Sequence, residues 1–172
     1  MFFKPRAPLP GPASAPSSTL NPGALRRVKI LANLTDDQLI KLTQYMKLQE
    51  VPQWTQLVKQ GDHGDAMYLV LGGELRVRLM FDQKETILAT LGVGEFFGEI
   101  SLFDQGSRSA DVVANADSML VKISAEEFEK LVDTAPELAT PFLFAIAKTL
   151  TARIRADNKR YKDSISFSRA SH

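Results

Sequence analysis

Between Leu48 and Ser124 the chain breaks into short segments rich in β-branched and aromatic residues, QLVKQ, AMYLVL, ELRVRLM, ETILATL, ADVVAN and SMLVKIS. Gly-Asp, Gly-Gly, Asp-Gln and Asn-Ala-Asp turns separate them. Many short strands at this spacing predict a barrel or a double-sheet roll. One stretch inside it, GEFFGEISLFDQGSRSADVVA, breaks the strand texture and holds four carboxylates, Glu95, Glu99, Asp104 and Asp111, with Arg108 as its only cation.

The flanks read differently. Leu25, Val28, Ile30, Leu31 and Leu34 lead to TDDQLIKLTQYM, where Thr35 can cap and Leu39, Ile40 and Leu42 follow at helical spacing, so residues 23–47 are predicted to hold two short helices. After the strands, SAEEFEKLVDTA predicts a helix with Ser124 as N-cap and Glu127 at the capping-box position. Pro136 or Pro141 opens another, whose Phe144, Ala147, Leu150, Ile154, Asp157 and Tyr161 form an interrupted apolar stripe. These closing helices occupy residues 125–163, and SISFSRASH (164–172) reads as a polar tail. At the other end, PRAPLPGPASAPSSTLNPG holds six of the nine prolines, so residues 1–22 are expected to be a flexible proline-rich arm, with a proline-rich ligand for a partner as the alternative.

A chain of 172 residues, 44% of them hydrophobic, can bury one substantial core. No apolar run approaches the roughly 20 residues of a membrane span, and Met1-Phe2-Phe3 before Lys4 and Pro5 is too short for a signal-peptide core, so a soluble cytoplasmic protein is expected. The absence of cysteine excludes disulfides and thiolate chemistry. With only His63 and His172 besides, no metal site is expected, and His63, in the turn GDHGD, reads as a solvated loop residue. The net charge of +1 conceals an asymmetry: residues 1–29 hold five basic and no acidic side chains, 30–147 hold nine and eighteen, and 148–172 hold seven and two. An acidic middle repels a nucleic acid backbone, and a basic terminal helix reads first as a solvated face.

Arg108 has a stronger reading. Gly94 and Gly98 precede a helix-like run that stops at DQGS. A helical turn opening after Gly98 aims free backbone N–H groups into a hollow, and a guanidinium ten residues later makes that hollow a phosphate site. Four nearby carboxylates favour a singly charged phosphate over a triphosphate, and no Walker pattern is present. Glu99 beside a phosphate makes sense as an acceptor for sugar hydroxyls, so the ligand is nucleotide-like. The bland alternatives are a surface ion pair of Arg108 with Asp104 or Asp111, and a helix N-terminal carboxylate for Glu99.

FGEISLFDQGSRSADVVA resembles the phosphate-binding cassette of the cyclic nucleotide-binding domain family, and VKQGDHGDAMYLVLGGELRV is similar to the family's turn and strand pattern at Gly61, Asp62, Gly64, Tyr68 and Gly73. The likeness covers about residues 25–163. It implies an α+β, mainly β fold: an eight-stranded β-roll of jelly-roll type with a short phosphate-binding helix, flanked by helices at both ends. It also implies that Arg108 binds the cyclic phosphate and Glu99 the ribose 2′-hydroxyl. Gly98, Ile100, Ser101 and Ala110 would contribute backbone groups, and Ser109 its N–H and hydroxyl. The base would be covered from the last helix, for which Arg153, Asp157 and Asn158 are the candidates. Ser109 does not decide the base; cAMP is favoured over cGMP. The family pattern commonly has a glycine and a small turn residue where VPQWTQLVKQG carries Gln53 and Thr55, and Trp54 reads either as exposed or as packed on the first helices.

Only 48 residues follow Ser124, so no DNA-reading unit is expected. The chain is read as a receptor without catalytic residues or cofactor. Its partner would be an effector protein or a second copy of itself through the Leu150, Ile154, Asp157, Tyr161 stripe. A ligand-independent interaction module is the alternative.

Overall fold

The computed structural model describes residues 20–82, 84–104 and 106–170, with side chains as far as Phe167. Most of the expected arm, residues 1–19, and the last two residues of the expected tail lie outside the described residues. Helix α1 (Pro22–Leu25) starts at the arm's last residue, because Asn21 caps it by accepting the Gly23 N–H at 2.9 Å and Pro22 needs no donor there. Helix α2 (Asp36–Leu42) opens on a reciprocal box: Thr35 Oγ1 accepts from Gln38 N–H at 3.3 Å, and Gln38 Oε1 accepts from Thr35 N–H at 2.9 Å.

Eight strands and a short helix follow: β1 (Lys47–Val51), β2 (Gln56–Val58), β3 (Ala66–Gly72), β4 (Leu75–Phe81), β5 (Lys84–Leu91), β6 (Phe96–Phe97), α3 (Ile100–Asp104), β7 (Asp111–Ala114) and β8 (Ser118–Ser124). They form two antiparallel four-stranded sheets, ordered β1-β8-β3-β6 and β2-β7-β4-β5, which is the expected double-sheet roll. Strand β3 explains why the sequence AMYLVL is apolar throughout instead of alternating. Met67, Leu69 and Leu71 face a core shared with the helices, while Ala66, Tyr68 and Val70 face the interior of the roll. The two phenylalanines of β6 divide the same way, Phe96 to the helical core and Phe97 to the roll, where it stacks on Tyr68 with ring centroids 5.0 Å apart. A two-residue strand is thereby pinned on both faces, and it delivers the chain to Gly98 in one orientation.

Helix α4 (Ala125–Thr134) is capped by Ser124, whose hydroxyl accepts from Glu127 N–H at 3.2 Å. The return bond expected of a capping box is missing, and Glu127 Oε2 is buried without a partner among the described residues. Helix α5 (Pro136–Ala170) starts at Pro136, one of the two expected openings, with Pro141 inside it, where the ring removes one backbone donor near the helix start. It differs from the expectation in two ways. It runs through most of the segment expected as a polar tail. Its buried face is Leu138, Ala139, Phe142 and Ile146, so Phe144, placed in the apolar stripe by the sequence reading, points to solvent at 74% exposure. From Thr151 to Phe167 every residue is exposed except Arg153. No helix of the described residues is long and apolar enough to cross a membrane.

Trp54 proves exposed, not packed on the first helices. It occupies a turn in which Pro52 C=O accepts from Thr55 N–H at 3.2 Å, and it adopts φ 67°, with the Arg76 guanidinium carbon 5.5 Å from its ring centroid.

Candidate ligand site

Gly98 begins the site. Its φ of 77° lets the chain turn from β6 into α3, and a Cβ there would stand 2.7 Å from Arg108 Nη1 and 2.8 Å from the Ala66 carbonyl oxygen. The absence of a side chain is what admits the guanidinium. Arg108 is 7% exposed. Its Nη1 donates to Ala66 C=O at 2.8 Å, with longer contacts to Ser101 Oγ at 3.3 Å and Gly98 C=O at 3.4 Å. Two backbone bonds hold its own residue against the GDHGD turn, Arg108 N–H to Asp62 C=O at 2.8 Å and Gly61 N–H to Arg108 C=O at 2.9 Å. His63 therefore serves as part of that clamp, bridged to Ser107.

Neither carboxylate named as a bland partner for Arg108 takes that role. Asp104 accepts from Gly106 N–H at 2.8 Å, and Asp111 accepts from Gln60 N–H at 2.8 Å and pairs with Arg78 at 3.4 Å. The nearest acid is Asp65, at 3.7 Å from Nη2; it is largely exposed and shared with Lys122 at 3.6 Å. The sequence reading missed Asp65, although its place at the end of GDHGD, one residue before the Ala66 carbonyl that anchors Arg108, is the signal that would have found it. The buried guanidinium is thus left with only a long, solvent-weakened counter-charge.

Arg108 lies in the wall of a cavity of about 700 Å³. Gly98, Glu99, Ile100, Ser101, Ser109 and Ala110 line it too, so the seven cassette residues singled out from the sequence converge on one space. Glu99 is 6% exposed. Val58, Val77, Leu88 and Leu91 of the roll add an apolar lining that could receive a flat ring, which the sequence reading did not foresee. From α5, Arg153 and Asp157 line the cavity; Asn158 does not, being on a different face of the helix, and Arg160, unforeseen, does. Asp157 and Arg160 pair at 3.6 Å in solvent. Arg153 reaches past the cavity mouth: Nη2 donates to Phe96 C=O at 2.8 Å, Nη1 lies 3.6 Å from Glu99 Oε1, and its guanidinium carbon sits 4.5 Å from the Phe96 ring centroid.

Beneath the cassette, burial raises the Tyr68 phenol above its ordinary 10.0; Arg108 opposes that rise and Asp65 adds to it. Among the described residues no group of three or more His, Cys, Asp or Glu side chains could hold a metal ion.

A two-sheet roll with a short helix, flanked by buried Glu99 before it and buried Arg108 after it, sets a carboxylate and a cation on the wall of one cavity. The chain belongs to the cyclic nucleotide-binding domain family, whose pattern matches residues 48–135. Over 107 residues it is 38% identical to the cyclic AMP receptor protein of Thermus thermophilus, a match that spans 62% of this chain and 50% of that protein. Over 118 residues it is 30% identical to cGMP-dependent protein kinase, isozyme 1, of Drosophila melanogaster, spanning 66% of this chain and 15% of the kinase. The crystal structure of a cyclic nucleotide-binding domain from Methylobacillus flagellatus matches with TM-score 0.72 at 28% identity, covering 80% of this chain and 78% of that one. The chain thus spans half or less of the length of these two curated relatives.

Proposed function

We propose that the chain is a cyclic nucleotide receptor, with cAMP favoured over cGMP, that passes occupancy of its cavity to helix α5. One observation carries this reading: Arg108 is buried at the cavity wall with its guanidinium fixed by a backbone carbonyl and its nearest carboxylate at 3.7 Å. A cyclic phosphate supplies the charge that this cation lacks. Glu99 accepts the ribose 2′-hydroxyl, the N–H groups and hydroxyls around Ser101 and Ser109 complete the phosphate cradle, and the base lies against the apolar wall of Val58, Val77 and Leu91. The groups facing the cavity are donors for an anion and an acceptor for a hydroxyl, which are binding roles and not bond-breaking ones. The preference for cAMP is supported by the higher identity to the Thermus protein, named for cyclic AMP, than to the fly kinase, named for cGMP.

The exposed half of α5, with Ile154 and Tyr161 open to solvent, is the surface through which an effector protein or a second copy of the chain would sense the ligand. Ligand shifts the helix only by its difference in affinity for the two arrangements. Isothermal titration with cAMP and cGMP, on wild type and Arg108→Ala, tests the reading. Saturable one-site binding that Arg108→Ala abolishes supports it, with cAMP the tighter; wild type that binds neither nucleotide overturns it in favour of a ligand-independent interaction module.

A further inference from the structure

Trp54 is the chain's one tryptophan, and its turn holds it in a left-handed backbone, φ 67°, with 65% of its surface open. A tryptophan left in solvent forgoes a large burial term. This one is also firmly mounted. Trp54 N–H donates to Ala114 C=O at 2.8 Å, Gln53 N–H to Asp117 Oδ1 at 2.8 Å, and Gln53 Nε2 to Asn115 C=O at 2.7 Å, which fastens the turn to the end of β7 and the loop after it. The Arg76 guanidinium that backs the ring is itself pinned, by Asn115 Oδ1 at 2.6 Å and Glu85 Oε1 at 2.8 Å. Strain and exposure at a rigid aromatic residue are the marks of a contact site rather than of a stray surface side chain.

Two carboxylates of the same hydrogen-bonded frame lack a cation. Glu74 Oε1 accepts from Asn115 Nδ2 at 2.8 Å and Asp117 from Gln53 N–H, but among the described residues neither forms an ion pair, while Arg76 is already matched by Glu85. An open indole beside two unmatched carboxylates fits a segment that carries both prolines and positive charge. Residues 1–19 are such a segment: they hold five prolines, Lys4 and Arg6, and no acidic side chain. A proline-rich segment docks on an aromatic ring at low cost because little backbone freedom is left to lose. This one joins the body at Leu20, which packs on the helical core. Its 19 residues extend to at most about 65 Å, against a radius of gyration of about 15 Å for a body of this size. Trp54 is therefore within reach from any exit point.

We propose that residues 1–19 dock on the Trp54 turn of their own chain, with proline rings on the indole and Lys4 and Arg6 opposite Glu74 and Asp117. The contact is separate from the receptor reading, since none of these residues lines the ligand cavity. Tethering supplies an effective concentration in the millimolar range, so a contact too weak to hold a free peptide at lower concentration suffices.

A single tryptophan makes the test direct. Acrylamide quenching of Trp54 fluorescence is compared in the full chain, in a chain shortened to residues 20–172, and in two full-length variants, Lys4→Glu with Arg6→Glu and Glu74→Gln with Asp117→Asn. The second variant keeps the accepting oxygens and removes only the charge. The short chain retains every residue of both cores. Removing residues 1–19 is expected to raise the quenching constant at least about twofold by uncovering the indole, and both charge variants are expected to approach the short chain. Salt moves the full chain the same way, and a synthetic peptide of residues 1–19 at millimolar concentration restores protection to the short chain. Equal quenching in the full and short chains overturns the proposal, as does protection that survives both charge changes. Protection that fades on dilution of the protein places the segment on a second copy and overturns the contact within one chain.

Discussion

Arg108 and Ala66 are joined by one 2.8 Å hydrogen bond, in which the guanidinium Nη1 donates to the carbonyl of the first residue of β3. This bond aims the cation without neutralising it, since the carbonyl carries no charge and Asp65 is 3.7 Å away. Aim and charge separate in mutants. Arg108→Ala is expected to lose at least about a hundredfold in cyclic nucleotide affinity, the order seen on truncating one partner of a buried charge pair. Its folding stability should stay within about 1 kcal/mol of wild type, because the lost hydrogen bonds are offset by release of a poorly compensated buried charge. Calorimetric titration and urea unfolding read the two effects side by side.

Gly98 and Gly61 make a matched pair for separating strain from collision. Both have positive φ, 77° and 86°, but a Cβ at Gly61 meets nothing within 4 Å, whereas one at Gly98 meets Arg108 and Ala66. Gly61→Ala is expected to cost about 1 kcal/mol of stability from the backbone alone. Gly98→Ala adds overpacking against a backbone carbonyl and should reach about 3 kcal/mol, with weakened ligand binding because Arg108 must shift. Equal losses in urea midpoints for the two variants would contradict this account.

Much of this was legible in the sequence because the cassette is local: Gly98 to Ala110 is one stretch of chain, and its glycines, short helix and arginine announce their geometry in order. The strands of the roll were legible for a similar reason, each being bounded by turn residues. What escaped was set across the fold. The apolar wall from β2, β4 and β5 becomes a wall only when the roll closes, and β5 itself, exposed at every residue but Leu91, shows no alternation to mark which side faces the cavity. The register of α5 escaped too: Phe142 and Ile146 compete with Phe144 and Ala147 as a buried stripe, and the helical core beneath the roll decides between them. Its length was underestimated because a helix that leaves the body carries a polar sequence indistinguishable from a tail.

Trp54 holds a left-handed backbone, φ 67°, in a turn position that favours glycine. Its compensation is the Arg76 guanidinium at 5.5 Å from the ring, a contact worth about 0.5–1 kcal/mol at an exposed site. Left-handed backbone costs a residue with a Cβ about 1–2 kcal/mol. Trp54→Ala keeps that cost and loses the contact, so it should destabilise; Trp54→Gly loses both and should be neutral or slightly stabilising. Opposite signs of the two midpoint shifts in urea are the expected outcome, and a loss for glycine as large as for alanine would argue against backbone strain at this turn.

Tyr68 offers a spectroscopic report on the ligand site. Burial holds its phenol above the ordinary 10.0, Arg108 pulls it back and Asp65 pushes it further up. The folded state therefore binds the phenolic proton more tightly than the unfolded chain does, so this contribution to stability is complete below pH 10 and is lost as pH rises through the folded value. A cyclic phosphate on Arg108 cancels the one influence that lowers the value, and deletion of the guanidinium does the same. Ultraviolet titration at the phenolate band, with Tyr68→Phe identifying the signal, should show Tyr68 ionising later with cAMP bound than without it. Arg108→Ala should ionise late with or without cAMP. A cAMP-induced shift in the opposite direction, or none, would count against a phosphate seated on Arg108.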